Sequence, residues 1–444
     1  MRSFLPTAAM LIAGCPGPDD SAAQDCTRVD ETIGSIVHVC WEQPEQGTAN
    51  VSYRVAGEDW RPTLVDQHGA GSNGVVLLGL PYDVEVEFEV RDVAGDTLNE
   101  GSIHTEPLPA ELPDVEILAS DPELQDPDTP YLLTSIDHLG DADTTEGTWA
   151  FILDRDGRIV WALETEPFRL TVHPRISADG AAILMDLNSH FGSFDRGVAS
   201  QVLRVGIDGV EQARWDTPGL HHPFTDRPDG TLAWGAWGEG LETLEVLDPE
   251  GVQRTLWDCT DFHAARGMPD TPCSSNTLCW SEDRGSFLFS LYTTHTVVEI
   301  DGDSGETLRW FGQMPDGWAF EPEDSGFIWQ HGAYITAEGT LLASMRASTA
   351  SEETVVREYS LDPDAETLTQ LWSFGEGQGV FAPELGEAIR LPGGNTLHNY
   401  GTDARIREVT PDGELAWDLM FSPGSWLGRS SPIPDLYALW PEGS

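Results

Sequence analysis

Asp154-Arg-Asp-Gly157, followed four residues later by Trp161, is the stretch from which the fold can be read. The same order returns as Asp208-Gly209 before Trp215, Asp248 and Gly251 before Trp257, Asp301 and Gly305 before Trp310, Asp362 before Trp372, and Asp412-Gly413 before Trp417. Successive tryptophans are 54, 42, 53, 62 and 45 residues apart. A period of that size belongs to architectures in which each repeat is one small sheet. Asp-Gly supplies the positive-φ residues of a tight hairpin, and the tryptophan then buries in the strand that follows. Six such units predict a six-bladed β-propeller over residues 131–444. The rival all-β reading, several separate sandwiches, leaves the uniform position of tryptophan unexplained.

Local patterning agrees with an all-β fold class. Leu132-Leu-Thr-Ser, Ala150-Phe-Ile-Leu153, Ala181-Ala-Ile-Leu-Met185, Phe287-Leu-Phe-Ser-Leu291 and Thr340-Leu-Leu-Ala-Ser344 read as short buried strands between turns. Residues 26–107 predict a small β-sandwich: Ile36–Trp41, Val51–Val55 and Val84–Val90 alternate in and out, with Trp41 as the core plug. Leu78-Gly-Leu-Pro-Tyr resembles the fibronectin type III pattern, although Val86 stands where that family often has its tyrosine. Residues 108–130 carry Pro109, Pro113, Pro122, Pro127 and Pro130 among acids and predict a linker.

The net charge is −53, from 76 acids against 23 bases, and every one of those bases is arginine. Without lysine there is no P-loop lysine, no Schiff base to pyridoxal phosphate and no Ser-Lys dyad. So negative a surface repels nucleic acid and anionic membranes. Its simplest role is to keep the protein soluble.

Residues 1–25 read as an export signal and tether: one arginine, a short apolar stretch, then small residues. Ile12-Ala13-Gly14-Cys15 resembles the bacterial lipobox, which predicts lipidation at Cys15. The expected address is the bacterial cell envelope, at the outer membrane on its periplasmic or surface face, with the lipid as the one membrane contact; an ordinary signal peptide is the alternative. Export favours disulfides. Cys26 and Cys40 are expected to pair, which adds about 3 kcal/mol in the chain-entropy model. Among Cys259, Cys273 and Cys279 one is left over. A metal site from Cys259, Cys273 and His263 matches no zinc spacing, so no metal is expected. Asp154–Gly157 and Asp301–Gly305 resemble pieces of calcium loops, but as hairpin turns they need no ion.

The functional signal is where histidines fall after the repeated tryptophans: His173 after Trp161, His221 and His222 after Trp215, His263 after Trp257, and His331 after Trp310. In a propeller the inner strand of each blade follows the outer strand of the one before, so these imidazoles are expected in one axial pocket. Isolated histidines such as His38, His68 and His104 read as structural.

Gly219-Leu-His-His-Pro-Phe224, Gly305–Gly312, Phe327-Ile-Trp-Gln-His-Gly332, Arg390–Leu397 and Ile406–Trp417 together resemble the arylsulfate sulfotransferase family of bacterial propellers, over about residues 130–430. The resemblance implies sulfuryl transfer from an aryl sulfate to a phenol through a sulfohistidine, with no cofactor. His331 matches the family's nucleophile, and His222, or else His221, its second channel histidine. The family's His-x-Asn and a later arginine correspond here to Ser274-Ser275-Asn276 and Tyr292. Asn276 is kept; His263 stands as a replacement for the imidazole, and Arg266 or Arg346 for the charge. The expected catalytic residues are thus His331, His222 and His263, and the substrate-binding residues Asn276, His221, Arg266, Arg346 and Tyr292. The alternative is an inactive propeller lipoprotein that binds a small ligand or an envelope protein.

Overall fold

The computed structural model describes residues 26–63, 66–137, 148–192, 196–238 and 241–440. Cys15 and the rest of the predicted leader lie outside the described residues. Among the described residues no helix is long and apolar enough to cross a membrane.

The chain divides into two compact units. Among the described residues the first takes in 26–30, Ile36–Leu77 and Val84–Thr105. It holds two antiparallel sheets. Arg28–Val29, Val37–Gln43 and Gly71–Leu77 make one; Arg61–Pro62, Gly47–Val55, Glu85–Asp92 and Thr97–His104 make the other, with Asp66–His68 paired to Gly47–Val55. Alternation along Val37–Gln43 and Glu85–Asp92 sends Val37, Val39, Val86, Phe88 and Val90 inward. Trp41 is buried with its indole N–H on Gln43 Oε1 at 3.1 Å. The Cys26–Cys40 disulfide is present, and Asn99 donates to the Cys40 carbonyl at 2.7 Å, tying the second sheet to the first. Glu31–Ser35 and Leu78–Asp83, the latter holding the Leu-Gly-Leu-Pro-Tyr motif, pack in the second unit.

The second unit is six antiparallel sheets of four or five strands in chain order. Three are simple four-strand meanders: Arg175–Asp216, Leu220–Asp258 and Ser275–Gly312. The fifth runs from His331 to Phe374 and gains Ala319–Glu321 as a parallel outer strand. The sixth, from Glu387 to Phe421, gains Val115–Ser120, so the proline-rich stretch 108–130 contributes a strand as well as a connection. The first sheet takes three strands from Tyr131–Asp137, Trp149–Asp154 and Ile159–Glu164. Its remaining strands, Trp426–Leu427 and Ser431–Ile433, come from the far end of the chain and pair with Tyr131–Asp137.

All six repeat tryptophans lie in the strand ending the antiparallel meander of their sheet. The loop before each has three residues, or four after Asp301 and Asp362, and the ladder beyond it shifts register on the way to the tryptophan at Ile152/Leu153, Arg204/Val205, Leu244/Glu245, Glu299/Ile300, Glu358/Tyr359 and Glu408/Val409. The last loop position is left-handed and favours glycine, while the bulge that follows is a separate feature. Five hairpins have glycine there; the Asp362 hairpin uses Glu366 at φ 52°. The tryptophans recur because several staple neighbouring sheets: Trp161 Nε1 donates to Ile207 O at 2.7 Å, Trp257 to Thr307 Oγ1 at 2.9 Å and Trp372 to Pro411 O at 3.0 Å.

Gly305 has φ 75°, and a Cβ there would lie 2.0 Å from the Leu256 carbonyl oxygen of the preceding sheet. Gly413 has φ 84° with open space around it. Gly413→Ala is therefore expected to cost only the left-handed backbone strain, about 1–2 kcal/mol. Gly305→Ala adds a clash with fixed backbone and should lower the denaturant midpoint clearly further. Equal shifts for the two would refute this packing.

Candidate functional site

The first strands of the sheets bring the charged and imidazole side chains together. His173 and Arg175 open the second sheet, His221 and His222 the third, Ser275, Asn276 and Thr277 the fourth, His331 the fifth and Glu387 the sixth. Arg429 sits between the two C-terminal strands added to the first sheet. Three of these strands lose register where the site residues stand, at Leu220/Phe224, Ser275/Thr277 and His331/Tyr334. Such breaks re-aim side chains that regular pleating would send to alternate faces.

Arg429 is the hub. It is 1% exposed, yet its guanidinium donates to the Asn276 carbonyl, to Thr277 Oγ1 at 2.7 Å and to Glu387 Oε2 at 3.4 Å. Its charge acts on His173, His222 and His331 alike. A guanidinium is charged at any working pH, so it needs this buried carboxylate and these carbonyl and hydroxyl acceptors. Burial raises the Glu387 carboxyl against the pull of Arg429, while the Ser430 N–H donates to its Oε1.

His331 Nδ1 lies 3.1 Å from the Trp329 carbonyl oxygen. A carbonyl only accepts, so Nδ1 carries the proton and Nε2 the lone pair. Trp329 holds a left-handed φ of 46°, unusual for a bulky residue, and that conformation sets the direction of this carbonyl. Burial, reinforced by Arg429, pushes the His331 imidazolium down to about 3. His222 and His173 are likewise held well below the ordinary histidine range, mainly by burial. All three are neutral near pH 7, with nitrogen lone pairs beside a fixed positive charge. That combination suits an anionic electrophile.

The preceding Gln330 is fully buried and works on the scaffold: its amide donates to Ser290 Oγ, Leu291 O and Thr296 O. Asn276 Nδ2 donates to the Gln330 carbonyl at 2.6 Å, so Asn276 braces the His331 segment. Asp186 accepts from Thr171 Oγ1, Val172 N and His173 N and thereby fixes the entry to the second sheet; burial lifts its carboxyl to about 7.

Of the predicted residues, His331, His222, His221 and Asn276 fall in this cluster. Tyr292 stands beside it, its ring 5.4 Å from that of His331. The Tyr292 N–H donates to the Ser274 carbonyl at 2.8 Å, so the two departures from the family pattern touch each other. Arg346 lies 4.5 Å from both the Trp329 and Phe381 rings and has no carboxylate partner among the described residues.

His263 and Arg266 do not join. Cys259 and Cys273 form a disulfide, and His263 packs inside its loop with Nε2 3.6 Å from Cys259 Sγ and Nδ1 3.2 Å from Thr271 O. Arg266 is held between Phe262 and Trp310, 3.8 and 3.7 Å from their centroids. The expectation that they replace the missing imidazole and charge is corrected by these contacts: the Cys-bearing insertion folds on itself. The Cys259, His263 and Cys273 donor atoms do lie within 4.8 Å of one another; with the sulfurs joined they offer no thiolates to a metal. Among the described residues Cys279 is the free cysteine, its thiol raised by burial.

Arg429 and Glu387 were missed, although one signal for Arg429 existed. It follows Trp417 by the same twelve residues that separate His173 from Trp161.

The arylsulfotransferase (ASST) family model matches residues 251–422, so the likeness read from the motifs holds over that segment. No curated protein matches the chain. Similar solved structures are β-propeller-like. A protein of unknown function from Bacteroides caccae is 14% identical with TM-score 0.46, over 69% of this chain and 100% of that one. The Myceliophteria thermophila Swd1 propeller domain is 11% identical with TM-score 0.43, over 69% and 88%. Virginiamycin B lyase from Staphylococcus aureus is 12% identical with TM-score 0.39, over 71% and 99%.

Proposed function

We propose that this chain is an exported arylsulfotransferase-like protein that moves a sulfuryl group from an aryl sulfate to a phenol through a histidine intermediate. On this reading the six sheets are the blades of one ring, closed where residues 426–433 return to the first sheet. The N-terminal unit is a fibronectin type III-like sandwich, and Cys15 carries the lipid anchor to the bacterial envelope. The observation that supports it best is the gathering of three neutral histidines from three sheets around one buried arginine.

The steps follow from the proton positions. His331 Nε2 attacks sulfur; the N–S bond forms as the S–O bond to the ring breaks, and its electron pair leaves on the phenolate oxygen. Nδ1–H stays on the Trp329 carbonyl and spreads the positive charge of the sulfoimidazolium. Arg429 offsets the negative charge that builds up on the sulfate oxygens and leaving group. In the second half the acceptor phenol gives its proton to His222, its oxygen bonds to sulfur, and the N–S pair returns to His331. The proton on His222 then passes to water or to the departed phenolate. The chemistry asks for neither a metal nor a nucleotide.

One observation favours the second reading, a channel that binds an aromatic anion without reacting: Tyr292 and Ser274 fill the places of two family residues. A single experiment separates the two. The protein is mixed with a chromogenic aryl sulfate, with and without a phenol acceptor, and the acceptor-free sample is quenched for intact mass. Protein-dependent phenolate release and a gain of one SO3 unit are expected. Neither release above blank nor a mass gain would leave only the binding reading.

A further inference from the structure

The third sheet holds a chain of groups that the proposed steps leave unused. Glu242, fully buried, lies with Oε1 2.9 Å from His221 Nε2, and His221 Nδ1 lies 2.9 Å from His222 Nδ1. Ser275 donates both its backbone N–H and its hydroxyl to the same carboxylate. Gly235 leaves room for it: a Cβ there would stand 2.6 Å from Glu242 Oε1.

With Glu242 ionised and His221 neutral, the proton positions along this chain follow by elimination. A carboxylate only accepts, so His221 Nε2 must donate to it. The other nitrogen of a neutral His221 then holds a lone pair, and Nδ1–H of His222 must donate to that. His222 is left with its lone pair on Nε2. We infer that Glu242 and His221 are positioning residues that hold His222 in the one tautomer able to take a proton from the acceptor phenol at Nε2. This deepens the sulfuryl-transfer reading and rests on it for its chemical consequence, though not for the tautomer itself. When His222 takes the proton, the resulting imidazolium keeps its Nδ1–H on His221, and the Glu242 charge at the far end stabilises it. Around His222, positive charge on His221, Arg429, His331 or His173 opposes that imidazolium. His221 is flanked in addition by the rings of His190 at 5.8 Å and Trp237 at 6.0 Å. The carboxylate is thus the compensating group that reaches His222 through hydrogen bonds.

Glu242→Gln tests this without changing size. The Ser275 N–H can only donate, so the amide oxygen must face it, which turns the NH2 toward His221 Nε2. His221 is then forced to accept there and donate from Nδ1, and His222 Nε2 becomes the protonated nitrogen. Long-range 15N–1H spectra of the imidazoles should show His222 as the Nδ1–H form in the native protein and the Nε2–H form in the variant. With an activated donor such as a nitrophenyl sulfate, whose phenolate leaves without a proton, the burst of the first half-reaction should stay at the native level. Turnover onto a weakly acidic phenol should fall by about 10²–10⁴-fold, the range for losing general-base help or inverting a histidine tautomer. Acceptors already ionised should be spared. A native His222 in the Nε2–H form overturns the inference with no variant needed. So does an unchanged His222 tautomer in Glu242→Gln, or burst and turnover falling together. If the native protein releases no phenolate at all, sulfuryl transfer fails while the spectra still decide the relay.

Discussion

Arg429→Met is expected to lower both stability and turnover, and the two losses should separate in a double variant. Arg429 is buried against Glu387, Asn276 and Thr277, so removing its charge strands a buried carboxylate. Breaking one side of such a pair costs about 3–5 kcal/mol. The same change removes a positive charge that acts on all three histidines, so His331, His222 and His173 should all become easier to protonate. Losing one such electrostatic contact in the transition state should cost about 10²–10³-fold in kcat/KM. Adding Glu387→Gln to Arg429→Met neutralises the stranded charge and is expected to restore part of the stability and none of the turnover. Denaturant midpoints and aryl sulfate turnover across the three variants check this. Arg429→Met at native turnover would remove arginine from the proposed chemistry.

The role of Arg429 also bears on how a protein of net charge −53 can attract sulfate. Exposed carboxylates are screened within about 8 Å at physiological ionic strength. A buried guanidinium is screened far less, so local geometry outweighs the total.

The repeat was legible because it is local. An Asp, a left-handed residue that is glycine in five of six cases, and a tryptophan shortly after encode a tight hairpin and the strand that closes each meander, and six copies mark six sheets. His331 and the His221-His222 pair were legible for a related reason: each opens a strand shortly after a marked tryptophan. What periodicity could not show were partners drawn from elsewhere in the chain. Arg429 reaches Asn276 across 153 positions, and nothing around either residue announces the other. Val115–Ser120 hides inside a proline-rich stretch because an outer strand with solvent on one side needs no apolar alternation. His263 misled for the opposite reason: its offset from Trp257 fits the repeat, but the Cys259–Cys273 disulfide closes the insertion around it. The pairing of those cysteines depended on folding that spacing alone does not encode.

Replacing His331 by alanine is expected to produce the largest loss of all. If Nε2 is the sulfur acceptor, its removal takes away the atom that bonds sulfur: His222 serves the acceptor's proton on this reading, and Gln330 is locked onto the fourth sheet. Removal of a covalent nucleophile in a comparable hydrolase costs about 10⁶-fold in kcat, and His331→Ala should likewise end turnover and the SO3 mass gain together. The pH dependence gives an independent check. With its folded pKa pushed to about 3, His331 stays neutral through the whole working range, so the native rate should show no acid limb from the nucleophile. In the unfolded chain the same histidine titrates near 6.5. Between these two values the unfolded state binds the extra proton, so stability contributed by the neutral buried ring is full above about pH 6.5 and is lost as pH falls toward 3. His331→Ala lacks that term. Its stability deficit relative to the native protein should therefore shrink between pH 6.5 and 3, as read from urea midpoints at each pH. A variant that keeps turning over would show that sulfur is attacked elsewhere; a deficit that does not change with pH would show that folding does not shift the titration of this ring.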